Sequence, residues 1–89
     1  MEEEKKKIVM LKLKEPNPKQ ATFSYNGKKQ KVRRPKIGSK SFILANEIYS
    51  VKSNNMTEQE TIKILNKMEK EGTIETRFIN NWVWYCSKA

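Results

Sequence analysis

The stretch TEQETIKILNKMEKEGTIETRFINNWVWYC, residues 57–86, decides how the rest of this 89-residue chain reads. It opens on a capping box, with Thr57 at the N-cap and Glu60 three residues later able to return an acceptor to the N-cap amide. Thr61, Ile62, Ile64, Leu65 and Met68 then share one helical face, and Gln59, Lys63, Asn66, Lys67 and Lys70 fall opposite. Gly72 supplies the left-handed residue that stops the helix. Residues 73–77 and 82–86 read as two strands around a short turn at Asn80-Asn81.

Upstream, a helix is expected from Ser39 or Ser41 to near Lys52. Leu44, Ala45, Ile48, Tyr49 and Val51 lie on its apolar face, and Ser53-Asn54-Asn55 ends it. The run Leu65-Asn66-Lys67-Met68-Glu69-Lys70-Glu71-Gly72-Thr73-Ile74 resembles the end of the recognition helix in the winged helix-turn-helix superfamily. There a Leu-x-x-Leu/Met-x-x-x-Gly-x-Ile motif leads into a wing with an aromatic-rich last strand, which here would be Trp82-Val83-Trp84-Tyr85. Leu44-Ala45-Asn46-Glu47-Ile48 looks like the family's second helix, so the resemblance covers roughly residues 39–86. It implies a helix that enters the major groove and a wing that touches the backbone. Gln59, Lys63, Asn66 and Lys67 would then face the groove, with Arg77, Asn80 and Asn81 at the wing. The family usually has three helices, and none is legible before Ser39.

Residues 8–14 read as a strand, broken by Glu15-Pro16-Asn17-Pro18. Residues 1–7 read as a charged, disordered N-terminus. Residues 21–25 lead into Asn26-Gly27, which suits a two-residue type I′ turn, and residues 28–32 return. Pro35 keeps Arg33-Arg34-Pro35-Lys36 extended. This hairpin lies in a window without acid. From Pro16 to Asn46 there is no Asp or Glu, whereas Lys19, Lys28, Lys29, Lys31, Arg33, Arg34, Lys36 and Lys40 carry +8 of the total +9. Such a concentration points to a polyanion docking on Lys28, Lys29, Lys31, Arg33, Arg34, Lys36 and Lys40. A solvated, solubilising segment is the plainer alternative.

The fold expected is a single small α+β domain over residues 8–89. It would be winged-helix-like, with two helices, a C-terminal β-hairpin wing, an N-terminal strand and a basic β-hairpin. The chain has no histidine and a single cysteine, Cys86, which argues against acid–base catalysis, a nucleophilic cysteine, or a metal or other cofactor. Gly38-Ser39-Lys40-Ser41 lacks the spacing of a phosphate loop. No apolar run approaches the roughly 20 residues of a membrane span, and MEEEKKK is no signal peptide, so a cytoplasmic place is expected, nucleoid-associated or, in a eukaryote, nuclear. Double-stranded DNA is the leading partner, bound by a transcriptional regulator or an architectural protein. RNA on a ribosome is the second reading. A protein-interaction module anchored by Trp82 and Trp84 is the third, and the aromatic strand also suggests a homodimer contact.

Overall fold

In the computed structural model, which describes residues 2–88, the chain runs α1 (Glu2–Lys14), β1 (Gln20–Tyr25), β2 (Lys28–Arg33), α2 (Asn46–Tyr49), a 3₁₀ turn (Lys52–Asn54), α3 (Glu58–Lys70), β3 (Ile74–Ile79) and β4 (Trp82–Ser87). The strands form two antiparallel hairpins, β1-β2 and β3-β4. Both turns are of the expected kind, with positive φ at Asn26 (50°) and Gly27 (77°) and at Asn80 (55°) and Asn81 (70°). The capping box of α3 is complete. Thr57 Oγ1 accepts from the Glu60 amide at 3.1 Å, and the Thr57 amide donates to Glu60 Oε1 at 3.3 Å. At the other end Gly72 adopts φ +81°, Thr73 N–H reaches the Met68 carbonyl and Gly72 N–H the Glu69 carbonyl. That is a Schellman stop.

Three expectations are corrected. The N-terminal strand is a helix, so the described residues form three α-helices rather than two, and residues 2–7, expected to be disordered, belong to α1. Met1 lies outside the described residues. Glu, Lys, Met and Leu are all good helix formers, and Glu2, Glu3 and Glu4 in the first turn with Lys12 and Lys14 in the last match the helix dipole. Val9 and Leu13, four apart, bury one narrow face, while Leu11 between them is exposed. Ion pairs to α3 hold the helix down: Lys5 to Glu60, Lys6 to Glu71 at 3.1 Å and Glu2 to Lys67 at 2.5 Å.

The expected helix over residues 39–52 shrinks to α2. Residues 42–44 are extended instead, because Ile43 pairs with Tyr85 through two backbone hydrogen bonds of 2.8 and 2.9 Å. Extension lets this segment bury both sides. Phe42 and Leu44 join one core with Ala21, Trp84 and Cys86. Ile43 joins the other, with Val9, Leu13, Ile48, Leu65, Met68, Ile74 and Tyr85. The β3-β4 hairpin is therefore the middle of three layers. Its Ile74/Tyr85 face meets α1 and α3, and its Trp82/Trp84/Cys86 face meets the inner side of β1-β2. Phe23 stands edge-on to Trp82 with ring centroids 4.9 Å apart.

The third correction concerns Arg34. Expected among the exposed docking cations, it is instead a buried internal anchor paired with Glu47: the two side chains are 7% and 8% exposed. The guanidinium forks onto Glu47, Nη1 to Oε2 at 3.0 Å and Nη2 to Oε1 at 2.8 Å. It also donates from Nε to the Pro18 carbonyl at 2.8 Å and from Nη1 to the Phe42 carbonyl. Glu47 Oε2 accepts in turn from the Leu44 amide at 2.8 Å. Removing one member of a buried pair strands the other charge. Arg34→Ala and Glu47→Ala should each cost about 3–5 kcal/mol in urea unfolding. Exposed Lys31→Ala should stay within about 0.5 kcal/mol of the parent.

Candidate nucleic-acid interface

Strand alternation sorts the basic hairpin into two faces. Ala21, Phe23 and Val32 turn inward against Trp82 and Trp84. The outward face is built of three cross-strand pairs: Gln20 with Arg33, Thr22 with Lys31, and Ser24 with Lys29. Each pair sets a cation beside an amide or a hydroxyl. A shallow depression of about 560 Å³ lies on this face, lined by Pro18, Lys19, Gln20, Thr22, Lys31 and Arg33. The Asn46 side chain holds the outer edge of β1 like a short strand, donating to the Ser24 carbonyl and accepting from the Ser24 amide, both at 2.8 Å. The base is fixed by Arg34, whose amide also donates to the Lys19 carbonyl at 2.9 Å.

Of the eight cations in the acid-free window, two are used within the fold. Arg34 is one. Lys40 is the other, bound to Glu75, which holds that carboxyl down to about 2 with help from the Cys86 thiol. Lys19, Lys28, Lys29, Lys31, Arg33 and Lys36 have no ion pair among the described residues, and all six are exposed.

The side of α3 expected to face a groove is in a different electrostatic state. Gln59, Lys63, Asn66 and Lys67 are exposed, but Lys67 binds Glu2, and the contact lowers the Glu2 carboxyl and raises the Lys67 ammonium. Residues 2–15 and 57–71 together carry eight carboxylates and eight lysines. The helical layer is neutral where the hairpin layer is cationic. The two also look in opposite directions, because the β3-β4 sheet lies between them.

On the β3-β4 hairpin, Arg77 lies 3.7 Å from Glu75, and Asn80 and Asn81 are exposed turn residues whose type the positive φ explains. Trp84 is 1% exposed and donates from its indole N–H to the Ile79 carbonyl at 3.3 Å; Trp82 is half-buried on Phe23. The pair is spent inside the chain. Because Ile43 also occupies the outer edge of β4 at Tyr85, that strand offers little to a second copy beyond Val83, which pairs with exposed Phe78 near the tip.

No protein-family model, curated protein or solved structure matches the chain. No helix among the described residues is long and apolar enough to cross a membrane, and none of their His, Cys, Asp or Glu side chains gather in threes around a metal position. Gln20, Thr22 and Ser24, which stand across the hairpin from Arg33, Lys31 and Lys29, are the candidate residues the sequence reading missed. Their signal was present in the Asn26-Gly27 turn, which fixes the register and so names the partner of every cation on β2.

Burial, and then the Glu75 carboxylate that accepts its S–H at 3.2 Å, pushes the Cys86 thiol from an ordinary 9.0 up to about 11. The folded state therefore keeps a proton that the unfolded chain releases above pH 9, and stability falls as pH rises from about 9 to 11. Stability measured against pH should show that decline in the parent and lose its onset near pH 9 in Cys86→Ala, the part at higher pH remaining because burial also raises the Tyr85 phenol. Native protein at pH 8 should react slowly with a thiol-specific disulfide reagent.

Proposed function

We propose that this chain is a small DNA-binding protein of winged-helix type, and that its principal docking surface is the β1-β2 hairpin rather than α3. The observation that carries the reading is the set of six exposed cations, free of ion pairs among the described residues, on the hairpin and the loops that flank it. Acids are plentiful elsewhere in the chain, and none of the ion pairs they make draws on this set, which leaves a field strong enough to gather a polyanion. With α1 in place, the three helices and the terminal hairpin supply the parts the family carries, and β1-β2 reads as an insertion between the first helix and the second. DNA binding of the regulator or architectural kind fits such a surface.

Phosphate neutralisation sets the test. Six contacts at about 0.9 each give a slope near −5 for log K against log salt, so affinity for a duplex should fall roughly a thousandfold between 50 and 200 mM salt. Fluorescence anisotropy with a labelled 20-base-pair duplex measures it. Absence of binding at low salt, or binding indifferent to salt, would remove the proposal. Arg34→Lys should lower stability while leaving the slope of the folded protein unchanged, since Arg34 is not among the six.

A further inference from the structure

We infer that the outer face of the β1-β2 hairpin enters the major groove of B-form DNA as a two-stranded ribbon, with Lys29 and Lys31 on phosphates and Gln20, Thr22 and Arg33 toward base edges. The inference rests on the DNA-binding reading above and adds the groove, the form of the duplex and the residues that read it.

The dimensions come first. Two antiparallel strands stand about 5 Å apart, and same-face side chains recur about every 7 Å, so Lys29, Lys31 and Arg33 span roughly 14 Å of one row. A B-form major groove about 12 Å wide admits such a ribbon. The deep, narrow major groove of A-form RNA does not.

The chemistry of the face is mixed, and that separates a groove reader from a phosphate clamp. A clamp needs cations alone. Here every cation on the row is paired across the hairpin with a hydrogen-bonding partner, and the cation–amide pair Gln20/Arg33 borders the depression with Thr22 and Lys31. Arginine suits guanine O6 and N7, glutamine suits adenine N6 and N7, and threonine offers a methyl to thymine as well as a hydroxyl. Preorganisation supports the same use. Asn46 holds one edge, the Arg34–Glu47 fork holds the base and Phe23 on Trp82 holds the inner face, so little order remains to be imposed on binding. The row residues themselves make no ion pair among the described residues, so changing them leaves the fold intact.

The experiment compares one 20-base-pair DNA duplex, the RNA duplex of the same sequence and the single DNA strand by anisotropy. Methylation of guanine N7 by dimethyl sulfate serves as the major-groove footprint. The proteins are the parent, the triple variant Lys29→Ala/Lys31→Ala/Arg33→Ala, and Lys63→Ala/Lys70→Ala on α3 as the opposite-side control; circular dichroism and thermal melting check that each is folded. The expected result has four parts: DNA duplex preferred over the other two by about tenfold or more, N7 positions protected by the parent, slope smaller by about 1.8 (from Lys29 and Lys31) and protection lost in the triple variant, and neither changed in the α3 control. Equal affinity for duplex RNA overturns the inference. So does a slope that drops in the triple variant when the parent never protected N7, which would put the hairpin on the phosphates. Binding to DNA with slope and footprint intact in the triple variant also overturns it and leaves the DNA-binding reading standing. No binding by the parent to any of the three probes overturns both.

Discussion

The Arg34–Glu47 fork is the contact on which the arrangement of this chain depends. It joins four segments that no regular hydrogen-bond ladder connects: the end of β2, the proline-bounded linker at Pro18, the extended residues at Phe42 and the start of α2. Alternatives exist for burying apolar surface, and hydrophobic contacts are non-directional. A bidentate guanidinium with three further hydrogen bonds on the same pair is directional, and it fixes the angle at which the hairpin meets the body. It also explains why the acid-free window ends at Glu47: the first acid after it is the one that receives the window's buried cation.

From that fixed angle follows the separation of charge. The β3-β4 sheet places apolar side chains on both faces, so one side must be covered by helices and the other by the β1-β2 hairpin. The helical side balances its lysines in number with its own carboxylates and pairs Lys5, Lys6 and Lys67 across α1 and α3. Those pairs are exposed or half-buried and contribute little each, and of the α3 lysines they engage Lys67 alone among the described residues. The hairpin side contains no acid. The cationic surface thus lies across the β3-β4 sheet from α3.

What was legible in the sequence was local. The Thr57/Glu60 box, the Gly72 stop, and the Asn26-Gly27 and Asn80-Asn81 turns all rest on short-range chemistry, and each takes the form expected. What was not legible was decided by distant partners. Residues 8–14 have a weak helical stripe because only Val9 and Leu13 are buried; α1 is a helix on account of its propensity and its ion pairs to α3. Residues 42–44 look helical with the segment that follows until Tyr85 offers Ile43 a backbone partner. At the candidate interface the cations were visible, but nothing in the sequence distinguishes Arg34 from Arg33. Adjacent on the strand and its continuation, they fall on different sides, and only one meets Glu47.

The plainest account of the remaining lysines is that they guard a strand edge. Charged side chains on an open edge do discourage strand addition, and the free edge of β2 carries Lys29, Lys31 and Arg33. That account covers part of the set and fails on the rest. Lys19 and Lys36 lie outside the strands, on the loops that lead into and out of the hairpin, and Lys28 borders its turn. Edge protection is served as well by glutamate, which the chain uses freely in α1 and α3 and nowhere in this window. Six like charges on a small ribbon repel one another at a cost to the folded state. An arrangement that bears this cost, excludes every acid that would relieve it, and holds the ribbon rigid at base, edge and inner face has the properties of a surface kept ready for an anion supplied from outside.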